Sequence, residues 1–164
     1  MQIFLTVIIA FVLGLILIFF LKTTQPQAPR ETVHFDKDSD KPSYLEDREE
    51  FRSKCLEFLG KFNLEYRHSV WANNSELEID MQDETPVVGG KYLALCIFNP
   101  PFNLVDGMKV KGFLDSVKGE GAARGIIITT GYFADEAYRQ IEEEPVELVN
   151  IHSFLKYLKG FDIY

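Results

Sequence analysis

Gly125-Ile126-Ile127-Ile128-Thr129-Thr130-Gly131-Tyr132-Phe133-Ala134-Asp135-Glu136-Ala137 is the stretch whose reading decides the fold. Three consecutive β-branched isoleucines predict a short strand buried on both faces, as strands of parallel or mixed sheets are. Gly131 lets the chain turn where a side chain would be restricted. A helix then starts near Ala134. Asp135 and Glu136 fall in its first turn, where carboxylates complement the positive end of the helix dipole. A strand running through a tight turn into a helix marks an α/β domain.

The flanks extend the same pattern. The helix from Ala134 runs to about Glu142, and Glu142-Glu143-Glu144 reads as its solvated end. Val146-Glu147-Leu148-Val149 reads as the next strand. Ile151, Phe154, Leu155 and Leu158 share one face of a closing helix that ends near Gly160. On the N-terminal side, Val110, Phe113, Leu114 and Val117 stand at i, i+3, i+4, i+7, the spacing of an amphipathic helix. Asn99-Pro100-Pro101 stops an apolar strand over Tyr92 to Phe98. Leu77, Ile79 and Met81 alternate with Glu78, Asp80 and Gln82, a half-exposed strand with its acids on one face. Leu64 to Ala72 reads as a further strand. A helix from Tyr44 carries Phe51, Cys55, Phe58, Leu59 and Phe62 as one stripe, with Gly60 as its stop. The order α-β-β-β-α-β-α-β-α predicts a mixed sheet flanked by helices.

Ahead of this domain, Ile3 to Leu21 is almost continuously apolar, and no charged side chain occurs before Lys22. About 20 helical residues cross a hydrocarbon core of roughly 30 Å. Only Met1 and Gln2 precede the run, and it exceeds the apolar region of a signal peptide. One N-terminal transmembrane helix is therefore expected over residues 1–22. Lys22 and Arg30 place the following domain in the cytoplasm. Residues 23–43, with Pro26, Pro29, Pro42 and a mixed-charge run at Asp36 to Lys41, read as a linker, leaving 44–164 as the globular domain. The net charge of −8 falls entirely after Lys22, so a nucleic-acid partner would need a local basic face on an acidic domain. Cys55 and Cys96 sit inside apolar runs without metal-like spacing and are expected as reduced core thiols.

The chain from about Glu49 to Leu158 resembles the Mrr-like branch of the restriction-endonuclease-like superfamily. The resemblance rests on Gly125 to Ala137 followed by Pro145 to Val149, with the helix 108–118 before them. It implies a magnesium-dependent phosphodiesterase acting on DNA. Such an enzyme holds its metal between carboxylates on adjacent strands, and a lysine two residues after the second acid supports the attacking water or the transition-state charge. Carried over, Asp80 stands where the first metal-binding aspartate belongs, and Glu78 replaces the glycine of that motif. On the next strand, Leu95 stands in place of the acid or amide and Ile97 in place of the lysine. Glu50, or its neighbour Glu49, matches a first-helix glutamate that completes such sites. Leucine and isoleucine neither coordinate magnesium nor move a proton.

The expected function is therefore a membrane-anchored, Mrr-like module, catalytically degenerate, that binds DNA or protein. Two alternatives stand beside it. One is an active endonuclease with a rearranged site around Asp80, using Mg²⁺ and a lysine supplied from Lys109 or Lys111. The other is a structural subunit of a membrane complex with no nucleic-acid role. No cofactor is expected in the degenerate form, and no small-molecule ligand. Lys109, Lys111, Lys118 and Arg124 are the candidate nucleic-acid-binding residues. Trp71 reads either as a base-stacking ring or as packing at the sheet edge. Thr129 and Thr130 read either as phosphate contacts or as turn residues. His34, His68 and His152 lack partner spacing.

Overall fold

The computed structural model describes Val33, Phe35 and residues 41–99 and 103–164. The expected transmembrane segment lies outside these residues, as does His34. Among the described residues no helix is long and apolar enough to cross a membrane. The unit described here runs from Val33 to Tyr164.

After a 3-10 turn at Ser43–Leu45, helix α1 spans Arg48–Gly60. It starts later than the apolar stripe suggests because Asp47 caps it, its carboxylate accepting the Glu49 and Glu50 backbone N–H groups at 2.8 Å. Two donors left orphaned at a helix start are thereby satisfied. Gly60 is the last helical residue, but the left-handed turn that ends α1 is made by Asn63, at φ 58°.

Strands β1 (Glu65–Trp71), β2 (Glu76–Asp83) and β3 (Gly90–Ile97) form an antiparallel meander. Helix α2 (Gly107–Gly119) carries the chain over to β5 (Arg124–Thr129), which lies parallel to β3. Helix α3 (Asp135–Gln140) leads to β7 (Val146–Val149), parallel to β5, and α4 (Ile151–Gly160) closes the fold. The sheet order is β1-β2-β3-β5-β7. A two-stranded parallel pair, β4 (Leu104–Val105) with β6 (Tyr132–Phe133), sits beside it and has no counterpart in the sequence pattern.

Alternation along the strands sorts the core into two layers. Ala94, Cys96, Ile126, Ile128, Leu77 and Ile79 pack under α1 and α4. Leu93, Leu95, Ile97 and Ile127 pack under α2 and α3. The three isoleucines are thus divided between both faces, as the unbroken apolar run required. Val33 and Phe35, within the expected linker, pack against the first layer, and the Val33 N–H donates to the Tyr132 hydroxyl at 2.7 Å.

The turn after β5 is fixed by contact rather than by backbone handedness. A Cβ on Gly131 would stand 2.2 Å from the Asn103 carbonyl oxygen. Thr129 and Thr130 are both buried: the Thr129 hydroxyl accepts the Gly131 N–H at 3.0 Å, and that of Thr130 accepts the Asn99 N–H at 2.7 Å. Both threonines are turn residues, with no surface left for phosphate.

Gly131→Ala should destabilise the domain by about 1–3 kcal/mol, the range for overpacking, seen as a melting temperature lowered by several degrees. Cys55 and Cys96 are free and fully buried. Burial first, and the neighbouring Cys96 second, push the Cys55 thiol well above its ordinary range. Since the thiolate is the nucleophile, neither cysteine should react with a soluble maleimide at pH 7 until denaturant unfolds the chain; mass spectrometry of the adduct reads the result.

Candidate functional site

Helices α2 and α3 cover β3, β5 and β7 but leave one face of β1 and β2 open. On that face β2 presents Glu76, Glu78 and Asp80, in register with Ile97, Leu95 and Leu93 of β3. Val70 of β1 faces the same way and is 46% exposed. The sheet register therefore brings Asp80 alongside the strand that carries positions 95 and 97, as the resemblance implied.

Those two positions are closed. Leu95 is 5% exposed and Ile97 6%, and both belong to the core under α2 with Val110, Phe113 and Leu114. The Asp80 carboxylate is instead met by Lys91, whose ammonium stands 3.4 Å from Oδ2 and also pairs with Glu120. Glu120 first, then the charge of Asp80, hold the Lys91 ammonium above its ordinary range. The sequence distance from Lys91 to Ile97 hides this contact. The antiparallel register sets Lys91 opposite Gln82, two residues from Asp80 on the same face.

Lys109 lies elsewhere. Its Nζ is 2.7 Å from Glu76 Oε1, at the edge of a cavity of about 420 Å³ lined by Glu78, Leu95, Asp106, Phe113 and Ser116 among others. Glu76 and Asp80 are four residues apart on one strand, about 13 Å, so the lysine does not join Asp80. Asp106 serves the backbone as well, capping α2 through the Lys109 N–H at 2.8 Å. Among the described residues no three His, Cys, Asp or Glu side chains gather closely enough to hold a metal ion. Asp80 has a lysine against it, and leucine and isoleucine occupy the positions of its expected partners. The residues present do not fit the ion.

Glu50 is not brought to Asp80. It lies on α1, the helix layer over the opposite face of the sheet, and receives a short hydrogen bond from the Ser43 hydroxyl. Glu49 faces Arg48 and Arg52. Of the candidate nucleic-acid contacts, Lys109 and Lys118 are held by Glu76 and Glu144 at 2.7 Å each. Lys111 and Arg124 are exposed. Trp71 faces α1, and the Arg48 guanidinium covers its ring at 4.6 Å from the centroid, so the ring is not presented for base stacking. His68 stands opposite Asp80 in the β1–β2 register.

Residues 101–158 match the Mrr family of restriction endonucleases. The DNA modification-dependent restriction endonuclease AspBHI aligns over 82% of this chain with a TM-score of 0.51 and 16% identity. The MspJI restriction endonuclease, solved in complex with a 27-mer oligonucleotide, aligns over 79% with a TM-score of 0.44 and 14% identity. The alignments span 40% and 35% of those two chains, so this chain corresponds to less than half of either. No curated protein matches it.

Replacing Ile97 by the lysine of the family pattern should not create a site. Ile97→Lys should cost about 3–5 kcal/mol, as an uncompensated buried charge does. Urea denaturation should show the loss, and the variant should cleave plasmid no faster than the unmodified chain.

Proposed function

We propose that this chain, which has the Mrr-like restriction-endonuclease fold, is a membrane-tethered module that binds without cutting. The observation that carries the reading is the burial of Leu95 and Ile97. A nuclease of this type must present an acid or amide and a lysine at these positions to an incoming phosphodiester. Here both side chains are packed beneath α2, and the carboxylate of Asp80 is occupied by Lys91. Fold alone does not determine activity; the groups at the site do. The proposed tether is the uncharged segment Ile3 to Leu21, and Lys22 and Arg30 after it support a cytoplasmic domain.

DNA is the first ligand class to test, because the match covers a restriction-endonuclease region. The exposed cations Lys111 and Arg124 flank the two ends of α2 and are the contacts such binding would use. Neutralisation of Lys109 and Lys118 limits the basic face, so binding to DNA would be weak and steeply salt-dependent. A cleaving enzyme is the second reading, favoured by one observation: the cavity beside Leu95 gathers Glu76, Glu78, Asp106 and Lys109. A membrane-complex subunit is the third, and it needs no DNA contact.

The full-length chain, incubated with supercoiled plasmid and single-stranded DNA in Mg²⁺ or Mn²⁺, should produce no nicks. Asp80→Ala and Lys109→Ala variants run beside it. Metal-dependent nicking abolished by either substitution would overturn the non-cleaving reading and identify whether the Asp80 end or the Lys109 end of the β2 face acts. A gel-shift titration at two salt concentrations separates a DNA-binding module from a subunit that ignores DNA.

A further inference from the structure

Three aromatic side chains stand in the open where α1 and α4 end. Phe62, just past α1, is 48% exposed; Tyr157 on α4 and Phe161 beyond it are each 37% exposed. They form one patch rather than scattered rings. Phe62 meets Phe161 edge-on at 5.8 Å between centroids, and the buried Phe58 touches all three, stacking on Tyr157 at 5.7 Å. Isolated exposed apolar residues need no explanation, but a contiguous patch marks a contact surface.

The charges around the patch run against the rest of the protein. The two stretches that supply it, residues 58–64 and 151–164, contain Lys61, Lys156 and Lys159 against Asp162, three lysines to one carboxylate, on a chain of net charge −8. Elsewhere most lysines and arginines are held by carboxylates, as Lys54 is by Glu57 and Lys118 by Glu144. Among the described residues, Lys61, Lys156 and Lys159 have no carboxylate within ion-pair distance; Lys159 lies over the Tyr164 ring at 4.6 Å. Aromatic rings beside unneutralised lysines are the composition of surfaces that sit at the headgroup level of a bilayer. There the rings enter the interface and the lysines are drawn to an anionic surface.

We infer that the Phe62–Tyr157–Phe161 patch docks the domain onto an anionic lipid surface. The inference rests on the membrane tether of the proposed function. A tether holds the domain within reach of the bilayer, so a weak patch suffices to orient it. Docking through the ends of α1 and α4 leaves Met108, at the start of α2 in the opposite layer, away from the lipid.

The test uses the full-length chain in lipid nanodiscs, as Phe62→Cys and, separately, Met108→Cys, each labelled with a membrane-impermeant maleimide. Met108 lies on α2 in the other layer and is 85% exposed, and the native cysteines are fully buried. Labelling of the Phe62→Cys variant should be at least five-fold slower in phosphatidylserine-rich discs than in phosphatidylcholine discs. Labelling of Met108→Cys should be equal in both. Adding Lys61→Glu and Lys156→Glu should restore fast labelling. Equal rates for Phe62→Cys in the two lipids would overturn the docking and leave the tether standing. Slowing that follows the number of chains per disc instead of lipid charge would report self-association and overturn it too. Failure of the full chain to enter discs at all would overturn both readings.

Discussion

The structure depends on the parallel pairing of β3 with β5 at the centre of the sheet. Ala94, Leu95, Cys96 and Ile97 lie beside Ile126 to Thr129, and every one of these residues is buried. Helices press on both sides of these residues, so along this stretch neither strand has a face on which to carry a charge. Leu95 and Ile97 are therefore part of the scaffold. A charged group at either position would have to be compensated in a low-dielectric core, and no partner stands there.

This constraint places the remaining polar chemistry on β2 and at the sheet's open face. Asp80, Glu78 and Glu76 are exposed to different degrees along one strand; Asp80 is answered by Lys91 from β3 and Glu76 by Lys109 from α2, with Glu78 between the two pairs. The pairs lie about four residues apart along the strand and do not converge on one point. Carboxylates that are individually neutralised by lysines satisfy the surface electrostatically. They do not form the shared, convergent acid cluster that a divalent cation requires.

The charge distribution divides the molecule in another way. On α2, Lys109 and Lys118 are held in ion pairs and Lys111 is exposed, whereas the ends of α1 and α4 carry lysines without carboxylates beside exposed rings. The two helical layers, equivalent in their packing on the sheet, thus present surfaces of different chemistry.

Much of the fold was legible in the chain because it follows from local periodicity. The Ile126–Ile128 run, the Leu77-Ile79-Met81 alternation and the stripes of α2 and α4 each report their own burial, since side-chain direction repeats every two or 3.6 residues. The order of helices and strands and the buried cysteines could be read without coordinates. Register could not. That Lys91 meets Asp80, that Lys109 meets Glu76, that Glu50 lies on the other layer, and that Arg48 covers Trp71 all depend on strands and helices from distant parts of the chain being set side by side. The small β4–β6 pair was invisible because two residues are too few to show a period. Periodicity is a property of neighbours in sequence, whereas a site is a property of neighbours in space, and only the folded sheet brings the second kind together.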